Sequence, residues 1–247
     1  MVIIITAAIA PKSSVKQLFL RDPKERLDQY ISALEHMIDK RPDAKLVFCD
    51  NSGFGIEAFE DVKRKALDNN MELEVLSFTG DSEKAAQHGK GYGEGEIVKY
   101  ALENSKFIAG EDYMIKVTGR LKVDNIAAIV RHVKRNRVYF NVPNIHRTDI
   151  FDTRIYAMPI DVFKDYFMDY YQKVDDESGY YLEHAYTDAI LENHIKTSNF
   201  PKYPRIIGSS GSGGTRYEYT EWKCKIRDVL SLWNVYGRVR NRKNEDT

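Results

Sequence analysis

Short apolar runs that alternate with helix-period segments constrain this 247-residue chain more than any other feature. Residues 2–6 (Val-Ile-Ile-Ile-Thr) are β-branched throughout, as expected of a strand covered on both faces. Asp22-Pro23 then supplies a helix cap and a first-turn proline. Leu27, Tyr30, Ile31, Leu34 and Ile38 follow at helical spacing. The rhythm repeats, with strands expected at 45–49, 73–78, 113–117 and 138–140 and helices at 56–69, 94–104 and 125–134. Such an alternation predicts an α/β domain with a mostly parallel central sheet flanked by helices.

The second half is less regular. A strand is expected at 153–158, an aromatic helix follows Pro159, and residues 180–194 read as strand-to-helix or as wholly helical. A brief strand at 205–207 leads into Gly208-Ser-Ser-Gly-Ser-Gly-Gly214, and a helix is expected at 221–241.

Lys+Arg and Asp+Glu balance at 37 each, so any basic function is local and polyanion binding by the whole chain is disfavoured. Cys49 and Cys224 are the only cysteines, which gives neither a disulfide framework nor a CxxC site and suits a cytoplasmic location. The apolar start ending Ala8-Ile9-Ala10 imitates a signal cleavage site, but no basic residue precedes it, and it reads as a first strand. No stretch approaches the ~20 apolar residues of a transmembrane helix.

Ligands of open parallel sheets bind outside the carboxyl ends of the strands. Three polar clusters fall there. Thr6-Ala7-Ala8 is small enough for a flat base to approach the backbone. Asp50-Asn51-Ser52 offers a carboxylate to a base or ribose, or caps the next helix. Lys116-Val-Thr-Gly-Arg120 brings two cations, a hydroxyl and a glycine together, the usual partners of phosphate oxygens. A fourth stretch, Gly89-Lys-Gly-Tyr-Gly-Glu-Gly-Glu96, precedes the expected helix at 94–104. Glycines admit close backbone approach, and a helix amino end attracts phosphate. The stretch lacks Walker and Rossmann spacing.

On these residues the chain resembles small glycosyltransferases of surface-polysaccharide synthesis, which have the nucleotide-diphospho-sugar transferase (GT-A) fold. The resemblance rests on Asp50-Asn-Ser, Gly89-Lys-Gly-Tyr-Gly-Glu94 and Lys116-Val-Thr-Gly-Arg120, and spans residues 1–160. It implies one GT-A-like domain over 1–247, with a nucleotide-sugar half at 1–150 and a smaller acceptor-side half at 151–247. It implies a nucleotide-sugar donor held by Thr6, Ala7, Asp50, Ser52, Lys90, Gly91, Gly93, Glu94, Thr118 and Gly119. No Asp-x-Asp occurs anywhere in the chain, so no cofactor is expected and a manganese or magnesium ion lacks support. Lys116 and Arg120 are then the expected source of positive charge for the leaving diphosphate.

The acceptor, a saccharide or a lipid-linked hydroxyl, is expected at Asp152, Arg154 and His184. Glu183 is the candidate general base that an inverting transfer requires. The glycine-serine run at 208–214 is expected to close over the diphosphate. The terminal helix, with Lys223, Lys225 and Arg227 among interspersed apolar residues, reads as core packing with a charged tail, with peripheral contact to an anionic membrane as the alternative. Nucleic acid is not an expected partner. Two other readings stand beside glycosyl transfer: a sugar nucleotidyltransferase, which needs a glycine-rich triphosphate loop after the first strand, and a non-catalytic nucleotide-sugar-binding protein.

Overall fold

The computed structural model describes residues 1–11, 20–209 and 216–239. Strand β1 (Val2–Ala7) is buried at every position. Its side chains alternate between two cores, Ile3 and Ile5 to one face of the sheet and Val2 and Ile4 to the other. Each apolar side chain so buried contributes about 1.5–3 kcal/mol. β1 pairs in parallel with β2 (Lys45–Asp50) on one side and β4 (Tyr113–Thr118) on the other. β3 (Leu73–Ser77), β6 (Val138–Tyr139), β7 (Ile155–Pro159) and β8 (Thr197–Ser198) complete a seven-stranded sheet of order β3-β2-β1-β4-β7-β6-β8. β7 alone runs against its neighbours. The mostly parallel α/β sheet expected from the alternation is therefore present.

Helix α1 (Pro23–Asp39) starts where Asp22 accepts a hydrogen bond from Lys24 N. It packs Tyr30, Leu34 and Ile38 beneath β1 and β2. α2 (Glu60–Asp68) follows a 3-10 turn at Ile56–Phe59, and α3 (Ser82–His88) is a short helix that the apolar pattern did not announce. α4 (Lys90–Asn104) covers the opposite face with Ile97, Val98, Ala101 and Leu102. α5 (Ile126–His132) and α6 (Ile160–Tyr166) follow β4 and β7. The segment at 180–194 resolves as helix α7 (Leu182–Glu192). A small sheet joins β5 (Lys122–Val123), β9 (Ile206–Ser209) and β10 (Arg216–Tyr217). The terminal helix α8 (Glu221–Leu230) is shorter than expected and ends in a 3-10 turn at Ser231–Trp233. Residues 210–214 of the glycine-serine run, and Arg240, Arg242 and Lys243, lie outside the described residues.

The glycine-rich stretch corrects the sequence reading. It is not a loop before a helix, because α4 already begins at Lys90. Gly91 and Gly95 are contact glycines. A Cβ on Gly91 would press on Leu182 and Val174, and one on Gly95 would overlap the Tyr171 side chain. Gly95→Ala is expected to destabilise the fold by about 2 kcal/mol. Overpacking costs about 1–3 kcal/mol and outweighs the helix propensity gained, which is under about 1 kcal/mol. Chemical denaturation measures the balance, and a variant as stable as the parent refutes the contact role.

Candidate functional site

The strand order turns at β1, since β2 and β3 lie to one side and β4 to the other, so the loops leaving β1 and β4 diverge and open a crevice. A cavity of about 600 Å³ occupies it, within the range of small-molecule sites. Its walls are the loops after β1, β2, β3 and β4, the first turns of α4, the start of α7 and the chain before β7.

The β1–β2 side is built by hydrogen bonds that a carboxylate collects from backbone. Asp50 is buried and accepts from Ile9 N at 2.7 Å, Ser52 N at 2.9 Å and Phe54 N at 3.2 Å. It also accepts from Ser52 Oγ, which in turn accepts from Ala10 N at 2.9 Å. Both oxygens of Asp50 are thus engaged. This corrects the expectation that Asp50 meets a nucleotide: it is not on the cavity wall and instead shapes the two loops that are. Thr6, Ala7 and Ser52 do line the cavity.

Arg26 performs a parallel task and was missed by sequence reasoning. It is 3% exposed, and its guanidinium donates to Ala8 O at 2.8 Å, Leu20 O at 3.0 Å and Tyr30 Oη at 3.3 Å. Tyr30 Oη accepts from Ala8 N at 3.0 Å, so the two side chains clasp the loop after β1. A trace of this was legible: Arg26 precedes Tyr30 and Leu34 by four and eight residues, on the apolar stripe of α1 where a charge needs partners.

Across the cavity, α4 and β4 meet through a buried cation. Lys116 is fully buried; its ammonium contacts the Glu94 carboxylate and donates to Thr118 Oγ1 at 3.0 Å and Thr153 O at 2.9 Å. Burial lowers its pKa to about 7, against the pull of Glu183 and Asp152. Direct contact between Lys116 and a phosphate, as expected from the sequence, is corrected by this burial: Glu94 and Thr118 face the cavity and Lys116 lies behind them. Gly119 is likewise behind the wall, where a Cβ would collide with Thr6 O and the Tyr30 ring.

Arg120 does reach the cavity. It is half-buried, with a 3.3 Å contact to Gln29 Oε1, and burial followed by the nearby Arg26 lowers its pKa. Lys90 lies on the same wall; its pKa is lowered by burial and raised by Asp176 and Glu183, while Arg120 lowers it further. Gly93 presents its backbone nearby, with only the Asn51 amide close to where a Cβ would stand. Asn51 Nδ2 reaches Gly93 O at 3.4 Å and Glu96 Oε2 at 3.5 Å, and Glu96 Oε1 accepts from Asp81 N at 2.8 Å. These bonds tie the loops after β2 and β3 to the start of α4.

Asp152, Arg154, Asp176 and Glu183 also line the cavity. Arg154 pairs with Asp152 and lies over the Tyr217 ring at 4.6 Å. Burial opposes its charge, but Asp152 outweighs burial and raises its pKa. Glu183 stands in the first turn of α7, with Oε1 accepting from Thr153 Oγ1 at 2.9 Å. Asp176, which sequence reasoning overlooked, accepts from Lys90 N at 3.0 Å through Oδ2, while Oδ1 is buried without a hydrogen-bond partner among the described residues. Burial foremost raises its pKa. His184 is not on the cavity wall, which corrects its expected acceptor role. Its Nδ1 accepts from Tyr181 N and closes a capping box at the start of α7.

Among the described residues no three His, Cys, Asp or Glu side chains converge as ligands. Glu94 and Glu96 diverge, one to Lys116 and the other to Asp81 N.

No family model matches the chain, and no curated protein matches it in sequence. Among solved structures the chain is similar to a protein of Desulfovibrio desulfuricans G20 assigned to the nucleotide-diphospho-sugar transferases, with 11% identity, 78% of this chain and 76% of that one covered, and a TM-score of 0.47. It is similar to a nucleoside-diphosphate-sugar pyrophosphorylase from Vibrio cholerae RC9, with 8% identity, 79% and 89% covered, and a TM-score of 0.45. It is also similar to the mannosyltransferase Ktr4p from S. cerevisiae in complex with GDP, with 11% identity, 94% and 80% covered, and a TM-score of 0.48. These likenesses concern the course of the chain and assign no residue a role.

Proposed function

We propose that this chain is a glycosyltransferase that moves a sugar from a nucleotide-sugar donor to a saccharide or lipid-linked hydroxyl. One observation carries the reading: a single cavity is lined both by the cations Lys90 and Arg120 and by the carboxylates Glu183 and Asp176. The cations suit a leaving diphosphate, and a carboxylate suits removal of a proton from an acceptor. The nucleotide lies against Thr6, Ala7 and Ser52, where small residues leave the backbone of β1 open. The diphosphate lies by the side chains of Arg120 and Lys90.

Transfer then forms a bond from the acceptor oxygen to the anomeric carbon and breaks the bond from that carbon to the diphosphate. Glu183 takes the hydroxyl proton, and the configuration inverts. Arg120 and Lys90 meet the negative charge that grows on the diphosphate. Lys116 acts from behind the wall by holding Glu94 and Thr118 in place. Asp152 and Arg154 border the acceptor side, with Arg154 held by its partner.

Calorimetric titration with UDP, GDP and CMP, and with the corresponding nucleotide sugars, tests the reading. One of them is expected to bind. Arg120→Ala is expected to weaken that binding about 10–100-fold, the value of a charge-assisted hydrogen bond of about 1.5–3 kcal/mol. Unchanged affinity in Arg120→Ala removes the phosphate assignment. Release of a nucleoside triphosphate from the sugar nucleotide and pyrophosphate identifies a nucleotidyltransferase instead.

A further inference from the structure

α8 turns its apolar side outward. Trp222, Ile226, Val229 and Trp233 recur at helical spacing and are 60%, 51%, 53% and 67% exposed. Leu232 beside them is 79% exposed. Only Cys224 of this helix is buried. The orientation is locked, because Arg205 on the body binds both acidic residues of the helix, Glu221 at 2.8 Å and Asp228 at 3.1 Å. Rotation of the apolar stripe inward would break both ion pairs.

The charge around the stripe has one sign. At about 100° per residue, Lys223 and Lys225 fall on opposite flanks of the Trp222–Ile226–Val229 stripe. Both are exposed and, among the described residues, neither is in an ion pair. Arg205 neutralises the acids that would otherwise offset them. Aromatic and aliphatic side chains on one face with lysines at its margins are the pattern of a helix that lies in a lipid interface. No helix of the described chain is long and apolar enough to cross a membrane, so contact of this kind is peripheral.

We propose that α8 and the following 3-10 turn dock the protein on an anionic phospholipid surface. Trp222, Ile226, Val229, Leu232 and Trp233 enter the interface, and Lys223 and Lys225 meet lipid phosphates. Docking of this kind is independent of the reaction in the cavity. The chain enters α8 from β10, whose Tyr217 lines the cavity.

The chain has two tryptophans, and both lie on this face, so selectively excited tryptophan fluorescence reports on it alone. The full chain is titrated with phosphatidylcholine vesicles containing phosphatidylglycerol, and with phosphatidylcholine alone. A blue shift and co-sedimentation are expected with the anionic vesicles and are expected to weaken in high salt. Lys223→Gln and Lys225→Gln are each expected to weaken binding about fivefold. Ile226→Ser/Leu232→Ser is expected to abolish the shift, with thermal unfolding unchanged because both side chains are exposed. The proposal is overturned by equal binding to neutral vesicles, by no response to the anionic ones, or by light scattering that shows a second copy covering the tryptophans.

Discussion

Lys116→Ala should unfold more readily than the parent by about 3 kcal/mol, the low end for breaking a buried ion pair, because Glu94 keeps some contact with water. In a chain of this length that corresponds to a melting temperature lower by about 6–12 °C. The ammonium is the only group that the Glu94 carboxylate contacts as an ion pair among the described residues, and it also satisfies Thr153 O. Its removal leaves a carboxylate without a counter-charge, an orphaned carbonyl and a void. Lys116→Met separates the void from the other effects, since it fills the space while removing the charge and the hydrogen bond to Thr153 O. It should still destabilise, and Lys116→Met/Glu94→Gln should recover much of the loss. Parent-like stability in Lys116→Met would show that the pair does not support the fold. The expected result differs from that of a surface phosphate ligand, whose loss weakens binding and spares stability.

Glu183→Gln should retain nucleotide binding and lose transfer by about 100–10,000-fold, the range attributed to general base catalysis. Gln keeps the acceptor for Thr153 Oγ1, so the first turn of α7 is expected to hold its shape. The loss should appear in kcat rather than in donor affinity, which places it in the chemical step. Asp176→Asn is the natural control, because Asp176 is another carboxylate on the cavity wall and accepts from Lys90 N. Full turnover in Glu183→Gln, with loss in Asp176→Asn, would move the role of base to Asp176.

The central strands and most of the helices were legible in the local pattern. A β-branched run such as 2–6 has few ways to bury both faces other than as an inner parallel strand, and Asp22-Pro23 starts a helix by purely local chemistry. Those properties belong to neighbouring residues, so the chain carries them in its order. Thr6, Ser52, Arg120 and Glu183, singled out in the sequence, line the cavity.

Tertiary structure alone decided which polar side chains face the cavity. Asp50 and Lys116 look like ligands in sequence, yet one is saturated by amides from two loops and the other by a carboxylate on a helix 22 residues away. Gly91 lines the cavity and also admits Leu182 from a distant segment, and Gly95 of the same stretch admits Tyr171. The outward turn of α8 likewise depends on Arg205, which no periodicity within that helix contains. Spacing along a chain records which face of an element a residue occupies. What stands opposite that face is set by long-range packing, and with it whether a charge is spent inside the fold or remains free for a ligand.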